Sequence, residues 1–150
     1  MKKLICLLLI AVLLCSCGKK EYVDKLDISM VNQLEGHYKD RILENGSKVV
    51  NMKYIESHVD ELKDATEQDM EYLVIKGVVT KLDYEYDDDK EIKYSIYLDD
   101  SKNYIYMSSG KDDMINLEKG KEYYFIASPA KYDAQGKTKI SIVAFSYFEQ

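Results

Sequence analysis

The chain has 150 residues, 21 Lys+Arg against 27 Asp+Glu, and a formal net charge of −6. That length suits one domain with an apolar core of its own, and the acidic balance argues against long-range attraction to nucleic acid or anionic headgroups. Its 3 cysteines are Cys6, Cys15 and Cys17, so the chain beyond residue 17 has no disulfide, thiolate nucleophile or cysteine metal site.

Residues 1–16 read as an export signal. Met1-Lys2-Lys3 supplies the positive start, and Leu4 to Leu14 is an uncharged run of about eleven residues. A hydrocarbon core needs roughly twenty. Leu14-Cys15-Ser16-Cys17 then closes the run with an aliphatic residue, a tolerated cysteine, a small residue and a cysteine. These four residues resemble the lipobox of bacterial lipoproteins. The resemblance implies that Cys17 carries a thioether-linked diacylglycerol and that cleavage falls before it. A further acyl chain such as palmitate would join the new amino group. Two or more acyl chains hold a protein on a bilayer stably, where one holds it marginally. The expected location is the extracytoplasmic face of the cell membrane. In a Gram-negative cell the outer membrane is open to it, because Gly18 is not the aspartate of inner-membrane retention.

Loss of residues 1–16, which carry two lysines and no acid, would leave 134 residues at a net charge of −8. Only one cation in the chain is an arginine, Arg41, so the usual bidentate grip on phosphate or carboxylate is nearly missing. Tyrosine is abundant, 14 against 3 phenylalanines and no tryptophan. It suits positions with one apolar side and one wet end, which small barrels have in number.

Residues 17–23 read as a lipidated tether and 24–68 as a helical segment. Leu26, Met30, Val31, Leu34, Tyr38 and Ile42 recur at helical spacing, with Asp27 or Ser29 as cap. Asn45-Gly46-Ser47 breaks the pattern. A second helix follows through Val50, Tyr54, Ile55, His58, Val59 and Leu62; Lys48 to Ile55 also suits a strand, and that choice stays open.

From residue 71 the texture is β. Tyr72 to Leu82 is a long strand with Gly77 at its middle, where a glycine marks a bulge or sharp curvature. An acidic turn over Asp83–Glu91 leads to a strand over Tyr94–Leu98. After Asp99-Asp100-Ser101 comes Tyr104–Met107, then a short helix over Asp112–Gly120. Two more strands, Glu122 to about Lys131 and Thr138 to Phe148, flank a turn at Asp133-Ala134-Gln135-Gly136. This order resembles the OB-fold, whose first strand curves to pair with both the second and the fourth. The expectation is therefore a mainly β protein with helices. Its OB-fold-like domain would span 71–150, with a five-stranded barrel over about 71–148. The whole resembles small secreted lipoproteins that carry an OB domain distantly related to anticodon-binding modules, a likeness that implies a fold and no defined activity.

Enzyme signatures are absent, and no cofactor is expected beyond the lipid on Cys17. His37 and His58 lie on the helical stretches without ligand spacing. The carboxylates Asp83, Glu85, Asp87, Asp88, Asp89 and Glu91 fall in the loop between the first two barrel strands, which OB-folds use for recognition. Six carboxylates suit calcium, although a solvated acidic tip is the plainer reading. In the second strand Ile96 and Leu98 want the core, turning Tyr97 outward. In the third, Ile105 and Met107 do the same for Tyr104 and Tyr106. Tyr97, Tyr104 and Tyr106 would form an aromatic platform on the OB ligand face, or pack beneath the helices. The resulting expectation is a membrane-anchored, non-catalytic binding module for a protein or envelope ligand. Oligonucleotide binding is the alternative, and its need for a positive groove counts against it.

Overall fold

The computed structural model describes residues 24–32, 34, 36–44, 48–67, 70–87 and 90–149. Cys17, the tether and the pair Asp88-Asp89 lie outside the described residues.

The described chain opens with a two-residue strand β1 (Asp24–Lys25), then helices α1 (Ile28–Val31) and α2 (Gly36–Glu44). Strand β2 (Lys48–Val50), helix α3 (Met52–Ser57) and one 3-10 turn over Val59–Glu61 follow. The stretch 48–55 thus uses both of its sequence options, switching at Asn51. The Asn51 side chain caps α3 by accepting from Tyr54 N at 2.9 Å.

Five long strands come next: β3 (Leu73–Asp87), β4 (Glu91–Leu98), β5 (Ile105–Gly110), β6 (Glu122–Ala134) and β7 (Lys137–Phe148). They are ordered β3-β4-β5-β7-β6, and β6 returns to β3, which closes an OB-like barrel. Only the β5–β7 seam of the barrel is parallel. β3 pairs with β6 over Leu73–Val78 and with β4 over Val79–Asp87, so Gly77 sits where the strand passes from one partner to the other. A register shift between Val79 and Lys81 adds the bend.

Burial explains the composition of β3. Leu73, Ile75 and Val79 face the barrel core with Ile92, Ile96, Leu98, Ile105, Phe125 and Ile142. Tyr72 and Val74 face outward, yet they are buried too, in a second cluster with Leu26, Ile42, Val49, Tyr124 and Ile126. The run Tyr72-Leu73-Val74-Ile75 is continuously apolar because both of its faces are covered. Full burial of an aliphatic side chain is worth about 1.5–3 kcal/mol, so the N-terminal segment belongs to the folded unit.

The helix expected over Asp112–Gly120 does not form; residues 111–121 are irregular. Leu117 is buried, Ile115 is half-buried and Met114 is exposed, an alternation rather than a helical stripe. The backbone amides that a helix would pair internally are taken by tyrosines instead. Ile115 N donates to Tyr94 Oη at 3.3 Å, Asn116 N to Tyr147 Oη at 3.1 Å and Glu118 N to Tyr123 Oη at 3.0 Å. Three of the tyrosines therefore close the barrel end.

Candidate functional face

Strand β4 alternates between half-buried and buried residues along its whole length. Tyr97 accordingly points outward and Ile96 and Leu98 point inward. Tyr106 on β5 stands opposite Ser95, also outward, and Tyr104 just precedes β5. The Tyr97 and Tyr104 rings meet at 5.6 Å between centroids, tilted by 52°. Lys81 Nζ lies 4.8 Å from the Tyr97 ring centre. Its ammonium pairs with Asp83, and that hydrogen bond holds the Lys81 pKa above its usual 10.5.

Tyr106 belongs to a neighbouring feature. Tyr104, Tyr106 and Tyr132 line an open groove of about 1350 Å³ between β5, the β6–β7 hairpin and the turn that follows β4. That turn is tight: Asp99 and Asp100 adopt φ of 51° and 58°, and Ser101 N donates to Leu98 O at 2.9 Å. Glu56 on α3 fixes it from below by accepting from Ser101 Oγ at 2.6 Å and Asn103 Nδ2 at 2.8 Å. Tyr104 lines the groove and also stacks against Tyr97, so platform and groove form one surface. This surface is where OB-folds take ligands, between the second and third strands and the last hairpin.

Among the described residues, helix α2 packs away from these rings. Tyr38 packs on Tyr72 and Phe145, with ring centroids 5.9 and 6.0 Å away, over the outer side of β3 and β7. Docking there buries the apolar face of α2 without contact from its described side chains to Tyr97, Tyr104 or Tyr106.

The described part of the acidic run is strand rather than loop. Asp83, Glu85 and Asp87 lie within β3 and pair with Ser95, Lys93 and Glu91 of β4, which makes a long hairpin arm. Alternation puts these three carboxylates on one side and Tyr84 and Tyr86 on the other. Asp83 binds Lys81 and Asp87 binds Lys93, and in each case the carboxylate raises the lysine pKa. Among the described residues no three His, Cys, Asp or Glu side chains gather as a metal site.

His58 stacks on Tyr54 at 4.1 Å between centroids, with Nδ1 2.8 Å from Tyr54 O, a helix-end contact. Sequence reading missed Tyr132, the Glu56 brace and the groove itself. Tyr132 carries a local signal, because it shares a strand face with Ala130 and Ala134 and alternates with Lys131 and Asp133. No protein-family model matches the chain, and no curated protein is significantly similar to it.

Proposed function

We propose that this chain is a lipid-anchored, extracytoplasmic binding module without catalytic activity. Its acyl lipid sits on Cys17, and it holds a protein or cell-envelope ligand on the surface formed by Tyr97, Tyr104 and Tyr106. One observation supports the binding half of this reading above the others. The aromatic platform and the 1350 Å³ groove share Tyr104, and among the described residues helix α2 packs on a different face. Partly exposed rings, two of them packed together, offer contact area at little entropic cost. Base stacking would use the same rings, but the body at −8 lacks the counter-charge that nucleic acid requires.

Two measurements test it. Mass spectrometry of the native product is expected to find Cys17 as the first residue, carrying acyl chains; a free thiol there would defeat the anchor. Crosslinking on intact cells is expected to lose its main adduct in Tyr97→Ala plus Tyr106→Ala at unchanged circular dichroism. An unchanged adduct would defeat the face.

A further inference from the structure

We propose that the groove takes an extended segment of a partner polypeptide, which adds to the edge of β7 as a further strand. This deepens the binding reading above and rests on it. Strands β5 and β7 run parallel and meet at one register pair, Tyr106 with Val143. Continued upstream, that register would set Tyr104 beside Ser141 and Lys102 beside Lys139. Instead the chain before Ile105 leaves the sheet. From Lys137 to Ile142, β7 therefore has β6 on one side and, among the described residues, no strand on the other.

The backbone groups on that open edge can be identified. Lys131 N donates to Lys63 O, and Lys131 O accepts from Ala65 N, both at 2.8 Å, on the side of β6 away from β7. Lys131 stands opposite Ile140 in the β6–β7 ladder. Antiparallel ladders alternate bonded and non-bonded pairs, so Lys131–Ile140 is non-bonded. By the same period Asp133–Thr138 is non-bonded, and so is Pro129–Ile142, where proline has no N–H to give. Thr138 and Ile140 thus turn both N–H and C=O toward the groove, and no described residue meets them.

The occupant's chemistry follows from this edge. Donor and acceptor recur every second residue, about 6.6–6.8 Å apart, which is the repeat of another extended backbone. Pockets for small molecules run to about 300–1,000 Å³, and this open groove is larger. The rings of Tyr104, Tyr106 and Tyr132 can seat alternate side chains, Tyr104 and Tyr132 being 46% and 39% exposed. Lys102 and Lys139 balance Glu56 and Asp100 around it, so main-chain bonding would supply the affinity. Lys137 and Lys139 on the strand itself discourage pairing between two copies of this edge. A foreign segment fits better than a second copy.

The test starts from a phage-displayed random dodecapeptide library panned on the full-length chain in detergent micelles. Peptides should be enriched that bind the chain but not its Tyr104→Ala plus Tyr106→Ala form. Methylating the backbone nitrogens of one such peptide in turn should lower affinity roughly tenfold at every second residue and little in between. Thr138→Pro, which removes one groove-facing N–H, should weaken the same peptide comparably at unchanged melting temperature. If that variant fails to fold, the methylation series on the unaltered chain still decides. Losses without a two-residue period, no enrichment, or a dimer in sedimentation that Thr138→Pro dissolves would each overturn strand addition. The wider reading fails separately. If no peptide is enriched yet the cell-surface crosslink is lost in Tyr104→Ala plus Tyr106→Ala, only the polypeptide ligand falls; if the crosslink persists, both fall.

Discussion

Gly77 faces Asp99 so closely that a Cβ on it would lie 2.7 Å from Asp99 Oδ2 and 2.9 Å from Leu98 Cβ. The other carboxylate oxygen of Asp99 accepts from Val78 N at 2.9 Å. The turn after β4 is therefore locked against the bend of β3, at the residue where β3 changes partners. The same turn walls the groove, so the fit of one glycine sets the position of that groove.

Gly77→Ala should destabilise the fold by about 1–3 kcal/mol, because the Leu98 Cβ cannot retreat without moving β4. Urea denaturation would measure it. In an Asp99→Ala background the same substitution should cost less but still destabilise, since only one of its two close contacts is gone.

The tyrosine hydroxyls that hold residues 111–121 should differ in strength with burial. Tyr123 is fully buried, so Tyr123→Phe strands the Glu118 amide and should cost about 1–3 kcal/mol. Tyr147→Phe should cost less, because the Asn116–Tyr147 bond is exposed, where water can replace the hydroxyl, and the Glu118–Tyr123 bond is partly buried. Equal losses in denaturant midpoint would contradict this assignment.

Asp64 joins the segment before β3 to the β6 edge beside Lys131. Its carboxylate accepts from Thr66 Oγ1 at 2.7 Å and Thr66 N at 3.0 Å, and those bonds hold its pKa below the usual 3.8. A lowered folded pKa adds stability that is complete above 3.8 and fades as pH falls through the folded value. Protection of the Thr66 amide, taken relative to its intrinsic exchange rate, should therefore fall below that pH. In Asp64→Ala, which removes the acceptor, that protection should be low already at neutral pH and should no longer titrate with the carboxylate.

Cys17→Ser should release the chain from the membrane fraction without altering the melting temperature. The proposed anchor on Cys17 would act independently of the folded body, since residues 18–150 hold no cysteine. Persistent membrane association in that variant would point to another tether.

The outward tyrosines Tyr97, Tyr104 and Tyr106 were legible because strand alternation is local: buried Ile96, Leu98, Ile105 and Met107 fix the opposite face whatever the barrel does. The acidic run was harder to read. Charges at Asp83, Glu85 and Asp87 look like a loop, yet exposed strand arms accept them when lysines stand opposite or alongside. The short helix over Asp112–Gly120 failed for a related reason. Its acids and glycine are helix signals, but the amides found closer acceptors on tyrosines 20 or more residues away in two of three cases, Tyr94 and Tyr147.

By itself the sequence determined the succession of the five barrel strands, the inward and outward residues of β4 and β5, and the bend at Gly77, all of which rest on period-two patterning and one missing side chain. Only the tertiary structure decided which surface stays open. That outcome depends on where α2 docks, where β5 ends and how Glu56 braces the turn at Ser101 and Asn103, contacts between residues more than forty positions apart in the last case. Distant pairings of this kind leave no local period in a chain, because each is settled by the shape of the closed barrel.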